Sequence, residues 1–206
     1  MLLLYSWWCW YPSPLFSKIK PEHIEPAITQ LLEEARTVVK THLQATTEYT
    51  WENLIEPLEN AEDKLNKAWS PVSHTNAVVN TDELRLAYNA CLPKLSDYST
   101  EMGQNEQLFN AYKVIADSNE FATLDSAQKK IIQNALRDFR LSGVDLDNEK
   151  KQRYKEISQE LSRLASNYEE NLMDATNAWS KVIRNEQDLA GLPPSALAQA
   201  KQTAES

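Results

Sequence analysis

A chain of 206 residues, 42% hydrophobic and 25% charged, has the composition of one or two ordinary globular domains, which excludes a disordered tail or a membrane bundle. Its net charge of −9, with no run of adjacent basic residues longer than Lys150-Lys151, would repel a phosphate backbone and argues against a nucleic-acid partner. Three glycines are few for sheet corners and tight turns, which need positive φ, so long helices with few turns are expected.

Residues 1–11, MLLLYSWWCWY, stand apart and hold three of the six tryptophans. No Lys or Arg precedes Lys18 and no Ala-x-Ala site follows, so the parts of a secretory signal are missing. Pro12 and Pro14 stop the apolar run well short of the roughly 20 residues a membrane span needs. A peripheral anchor, a packed strand or turn, or a displaced reading frame are the readings left open, the last being preferred. Residues 1–13 are therefore set aside as an unmatched segment, with 14–206 as the domain.

The first helix opens at Pro21, where a missing N–H is harmless, and carries Ile24, Ile28, Leu31, Leu32, Ala35, Val38 and Val39 on one stripe before fraying near Gln44. Thr50 is a cap for a second helix through Leu54, Leu58, Ala61, Leu65, Ala68 and Trp69, expected to end at Ser70-Pro71 and to be followed by a loop from Val72 to Asn80. Thr81-Asp82-Glu83 starts a third, with Leu84, Tyr88, Cys91 and Leu95, which Pro93 should kink or split. A fourth runs from about Asn105 to Ser118. A fifth is capped by Asp125 and stopped by Gly143.

The sixth segment has apolar residues at Tyr154, Ile157, Leu161, Leu164, Tyr168, Leu172, Ala175, Trp179 and Val182, and no Pro or Gly from Asn148 to Ala190. This predicts a long helix over about 148–190, of which some 35 residues would span roughly 50 Å. Gly191 ends it, and Pro193-Pro194 restarts a helix that reaches Ser206 without a cap, which we read as the start of a longer protein. The fold class expected is all-α: a multi-helix array with a long C-terminal helix.

Reactive chemistry is hard to find. There is no HExxH, no CxxC pair, no GxSxG, and the glycines at 103, 143 and 191 cannot build a phosphate loop. His23 and His42 fall on one helix about 28 Å apart along its axis. His74, placed in the expected loop, could meet one of them, but three ligands around one ion are not in prospect. Carboxylate pairs such as Glu33-Glu34 and Glu169-Glu170 sit among basic residues at helical steps, as on solvated faces. No catalytic, cofactor-binding or metal-binding residue is assigned. Two cysteines, Cys9 and Cys91, do not make a disulfide framework, and a reducing cytoplasm is the natural compartment.

Several stretches carry a family likeness. FSKIKPEHIEPAI (Phe16 to Ile28), YTWENLIEPLE (Tyr49 to Glu59), SPVSHTNAVVN (Ser70 to Asn80), LPKLSDYSTEMGQNEQLFNAY, AQKKIIQNALRDFRLSGVDL, ELSRLASNYEENLMDATNAW and LAGLPPSALAQAK occur in one order with no obvious gap. In that order the sequence resembles the front part of zinc peptidases of the oligopeptidase A and thimet oligopeptidase type. The resemblance implies a nearly all-helical cytoplasmic hydrolase that degrades short peptides, with one zinc held by an HExxH helix and a later glutamate. The glutamate inside that motif would activate the water.

No position here matches those residues, so the zinc would belong to a catalytic part beyond Ser206. This chain would form one wall of the substrate channel. Whether it is itself an enzyme is left open. Its implied partner is the missing catalytic domain, with short peptides reached only in the full-length protein and no nucleic acid or membrane. A fragment inactive alone, a helical module exposing the stripe of its long helix to that partner, and a marginally folded remnant are the readings weighed.

Overall fold

A computed structural model describes residues 14–205. Among them there is no strand, and the architecture is all-α. The tryptophan-rich start and Cys9 lie outside the described residues. The chain divides into two units, one up to Ser166 and one from Asn167 onward.

In the first unit a short 3-10 turn, Phe16–Lys18, leads into α1, Pro21–Ala45, with Pro21 at its first position as expected. Ile24, Ala27, Ile28, Leu31, Leu32, Ala35 and Val39 of α1 are buried. Thr50 and Asn53 then form a capping box: the Thr50 hydroxyl accepts from the Asn53 N–H at 3.1 Å, and Asn53 Oδ1 accepts from the Thr50 N–H at 2.9 Å. What they open is a π-helical turn, Trp51–Ile55, before α2, Glu56–Val78.

The expected stop at Ser70-Pro71 and the loop after it are corrected here, because α2 continues through Pro71 to Val78. Pro71 and Val72 are buried, and the Thr75 hydroxyl donates to the Pro71 carbonyl at 2.7 Å. Packing on both sides of the proline outweighs the one backbone bond it removes. Asn80, at φ 45°, makes the turn.

Helix α3, Asp82–Gly103, is capped by Thr81 and is not split at Pro93. Helix α4, Glu106–Ala116, is capped by Asn105. A single-turn α5, Asn119–Thr123, follows, and its sequence carries no signal that marks it. Helix α6, Ser126–Leu141, opens on a capping box between Asp125 and Gln128. It closes on a Schellman motif: Gly143, at φ +85°, donates to the Arg140 carbonyl, and Val144 to that of Phe139. Phe139 and Val144 are both buried there, which supplies the hydrophobic contact of that motif.

Two apolar clusters fill this unit. One gathers Val39, Leu54, Ile55, Leu108, Phe109, Tyr112, Ile115, Ile132, Phe139 and Val144. The other gathers Ile24, Ile28, Leu31, Leu32, Leu65, Val72, Leu84, Cys91 and Tyr98. Phe139 holds Phe109 and Tyr112 at ring distances of 5.7 and 5.4 Å, and Trp69 stacks on Tyr88 at 4.8 Å.

Helix α7, Asn148–Ala178, is shorter than expected. Residues 179–185 are non-helical, Asn185 caps a 3-10 turn at Glu186–Leu189, and Gly191 has φ +95°. Trp179 and Val182 thus leave the helical stripe. From Asn167 onward no described residue of the chain is buried, yet the helix holds to Ala178, so the apolar period marks a face that could form and not where the helix ends. The second unit closes with α8, Pro194–Glu205, which has no buried residue.

Candidate functional site

The three histidines do not meet. His23 and His42 both lie on α1, as expected. His42 is held locally: its Nδ1 lies 2.8 Å from the Asn53 carbonyl oxygen, which can only accept, so Nδ1 carries the proton. His74, expected in a loop, is an exposed residue of α2 whose ring lies 5.7 Å from that of Phe16. Among the described residues no group of three or more His, Cys, Asp or Glu side chains could hold a metal ion. The described residues therefore offer no donor set for the zinc that the resemblance implies.

Cys91 is fully buried on α3, and burial pushes its thiol up to about 11, so it is not a thiolate near neutrality. Tyr98 is also buried. Desolvation first, then the charge of Glu62, pushes its phenol up to about 12. The Arg36 guanidinium lies 5.6 Å from the Tyr98 ring centre and pairs with Glu33 at 2.6 Å and Glu101 at 2.8 Å. These groups join α1 to α3. Glu33 serves in this pairing, while Glu34 pairs with Lys64 of α2 at 2.6 Å.

Among the described residues a cavity of about 330 Å³ lies between α3 and the first half of α7. Ser96, Ser99 and Thr100 of α3 face Ser158, Ser162 and Tyr154 of α7. Ser142 closes one end, and Trp69, Leu92 and Leu95 complete the lining. Gly103 brings α3 close to that end, since a Cβ there would lie 2.6 Å from the Ser142 Cβ. Gln104 braces it by donating to the Ser142 carbonyl at 3.1 Å.

The lining offers hydroxyls and apolar surface but no carboxylate, imidazole or amine. It can hydrogen-bond neutral polar groups. It has no base to activate a nucleophile. Sequence reasoning missed it, although serines at 158, 162 and 166 lie one helical turn apart and mark a face.

That face is what α7 turns toward α3. Asp97 accepts from Gln159 and pairs with Lys155 at 3.3 Å, the Ser166 hydroxyl donates to Asn89 at 2.9 Å, and Lys151 pairs with Glu106 of α4. The apolar row lies on the outside: Ile157, Leu161, Leu164, Tyr168 and Leu172 are between 44% and 69% exposed. The side of α7 that carries Lys151, Lys155, Gln159 and Ser166 is taken up by its neighbours, while the apolar row stands bare among exposed charged residues such as Arg153, Glu160 and Arg163. Glu169 and Glu170, further along, join no metal-binding group. No helix among the described residues is long and apolar enough to cross a membrane.

Comparison with known proteins agrees with the motifs. Residues 28–151 match the model of the neurolysin/thimet oligopeptidase N-terminal domain. The chain is 54% identical over 193 residues to oligopeptidase A of Haemophilus influenzae, covering 94% of this chain and 28% of that protein. It is 51% identical over 192 residues to oligopeptidase A of Escherichia coli, covering 93% and 28%. To a probable cytosolic oligopeptidase A of Arabidopsis thaliana it is 33% identical over 184 residues, covering 89% and 26%. The chain thus spans little more than a quarter of the curated relatives it matches.

Proposed function

The chain belongs to the neurolysin/thimet oligopeptidase family, and from that premise we propose that it is the N-terminal part of a zinc endopeptidase that hydrolyses short peptides. The match to the N-terminal domain over residues 28–151 carries this reading, with the oligopeptidase A relatives in support. In it, residues 14–206 are the helical region that forms one wall of the substrate channel. Residues 1–13 are an addition the family does not share.

The zinc, its ligands and the base that activates water belong to the catalytic part, which is the partner of this region. The working compartment is the cytoplasm. By itself the chain does not cleave peptides, because a catalytic zinc needs three protein ligands and an open position. The residues described here supply no such group.

The test is direct. The purified chain is incubated with zinc and a quenched fluorogenic peptide, alone and together with the catalytic part of an oligopeptidase A expressed separately. The expected outcome is no chelator-sensitive hydrolysis alone and recovery of hydrolysis in the mixture. Chelator-sensitive turnover by the chain alone would defeat the claim of inactivity. A mixture no more active than the catalytic part by itself would defeat the claim that this region completes the enzyme.

A further inference from the structure

We propose that the cavity between α3 and α7 takes an uncharged stretch of extended peptide and holds it by its backbone. The choice of peptide rests on the peptidase reading, while the site itself rests on its hydroxyls. All of its lining falls within the first unit. Elsewhere hydroxyls on helices turn back to the carbonyl four residues earlier, Thr37 to Glu33 at 2.8 Å and Thr75 to Pro71 at 2.7 Å. Those of Ser96, Thr100, Tyr154, Ser158 and Ser162 make no hydrogen bond with any described residue. Thr100 is only 5% exposed and lines the cavity, so a buried hydroxyl faces that space without a partner. A buried polar group in that state is stabilised by a hydrogen bond from whatever fills the space.

Spacing selects the ligand. Ser96 and Thr100 on α3, and Ser158 and Ser162 on α7, are each four residues apart, which is about 6 Å along either helix. In an extended chain the N–H and C=O of one residue point to the same side. The next such pair on that side comes two residues later, about 6.7 Å on. The peptide thus offers each row a backbone pair at nearly the row's own step, alternate residues to α3 and those between them to α7. A hydroxyl both donates and accepts, so either row serves N–H and C=O alike. From Leu92 to Thr100, and from Tyr154 to Ser162, is about 12 Å, room for three or four extended residues. No charged side chain lines the cavity, so a charged group entering it would lose its hydration without gaining a counter-ion. Trp69, Leu92 and Leu95 pack against small apolar side chains instead.

NMR shift mapping on the full isotope-labelled chain tests this, with N-acetyl-tetra-alanine amide as the probe. The expected result is saturable binding in the millimolar range, with shifts centred on residues 92–100 and 154–162. Thr100→Val, which keeps the shape of the side chain, and the pair Ser158→Ala with Ser162→Ala should each weaken binding about 3- to 10-fold, with unchanged circular dichroism. N-acetyl-tetrasarcosine amide, whose chain amides carry no N–H, should bind at least about 3-fold more weakly than the alanine probe. No saturable shifts up to about 10 mM probe, shifts centred elsewhere, undiminished binding by either variant, or equal binding of the sarcosine probe each overturns the proposal. Restored hydrolysis in the mixture of this chain with the catalytic part, without peptide binding in the cavity, would sink this inference and leave the peptidase reading standing.

Discussion

Gly103, the last residue of α3, lies so close to Ser142 that a side chain on it would collide with the serine: the added Cβ would come within 2.6 Å of the Ser142 Cβ and 2.7 Å of its Oγ. Gly103→Ala should therefore destabilise the fold by about 1–3 kcal/mol, as overpacking does. Denaturant unfolding measures it. The double variant Gly103→Ala with Ser142→Gly should recover most of the loss. Equal stability of single and double variants would show that the contact is not the cause.

Alkaline pH should unfold the chain before it damages a more exposed helical protein. Cys91 and Tyr98 are buried and hold their protons up to about 11 and about 12. Unfolded, they release them near 8.5 and 10. A folded-state value raised above the unfolded one means that the stabilisation is complete below the unfolded value. It is then lost as pH rises through the folded one. Thermal midpoints should thus be flat from about pH 7 to 8 and fall steadily from about 9 to 12. Cys91→Ala should remove the part of that fall beginning near pH 9.

Caps fix where the helices begin. Removing the Thr50 side chain leaves the Asn53 N–H without its 3.1 Å acceptor, and removing that of Asp125 leaves the Gln128 N–H without its 2.8 Å acceptor. Thr50→Ala and Asp125→Ala should each cost about 1 kcal/mol in denaturant unfolding. The two lie on different elements, and the double variant should show their sum to within about 0.5 kcal/mol.

Buried and exposed apolar residues should part company. Ile115 and Ile132 are fully enclosed, and truncating either to alanine should cost about 2–5 kcal/mol. Leu161→Ala removes a side chain that is 61% exposed and should change stability by less than about 0.5 kcal/mol. A large loss at Leu161 would mean that the row on α7 is already covered within one chain.

Local signals in the sequence were readable where they acted alone. Pro21, Thr81, Asp125 and Gly143 start or stop helices where their backbone chemistry dictates, because capping depends on two or three neighbouring residues. Pro71 misled for the opposite reason, and Pro93, expected to kink or split α3, does not split it. Each removes one hydrogen bond locally, but burial of neighbours such as Val72 and Cys91, distant in sequence from their contacts, keeps the helix whole. The end of α7 could not be read from an apolar repeat running on to Val182, since the repeat marks a face and not where the helix ends. The cavity between α3 and α7 was illegible because it is made of serines, which carry no signature until two helices bring them together.

Val39 and Ile28 belong to the same helix but to different oily clusters, and Ile55 and Leu65 repeat that arrangement along Trp51–Val78. Anyone wishing to trim this molecule to a smaller piece will find no seam there. A cut between Ala35 and Val39, or between Ile55 and Leu65, would part residues of the two interiors that a continuous backbone now ties together.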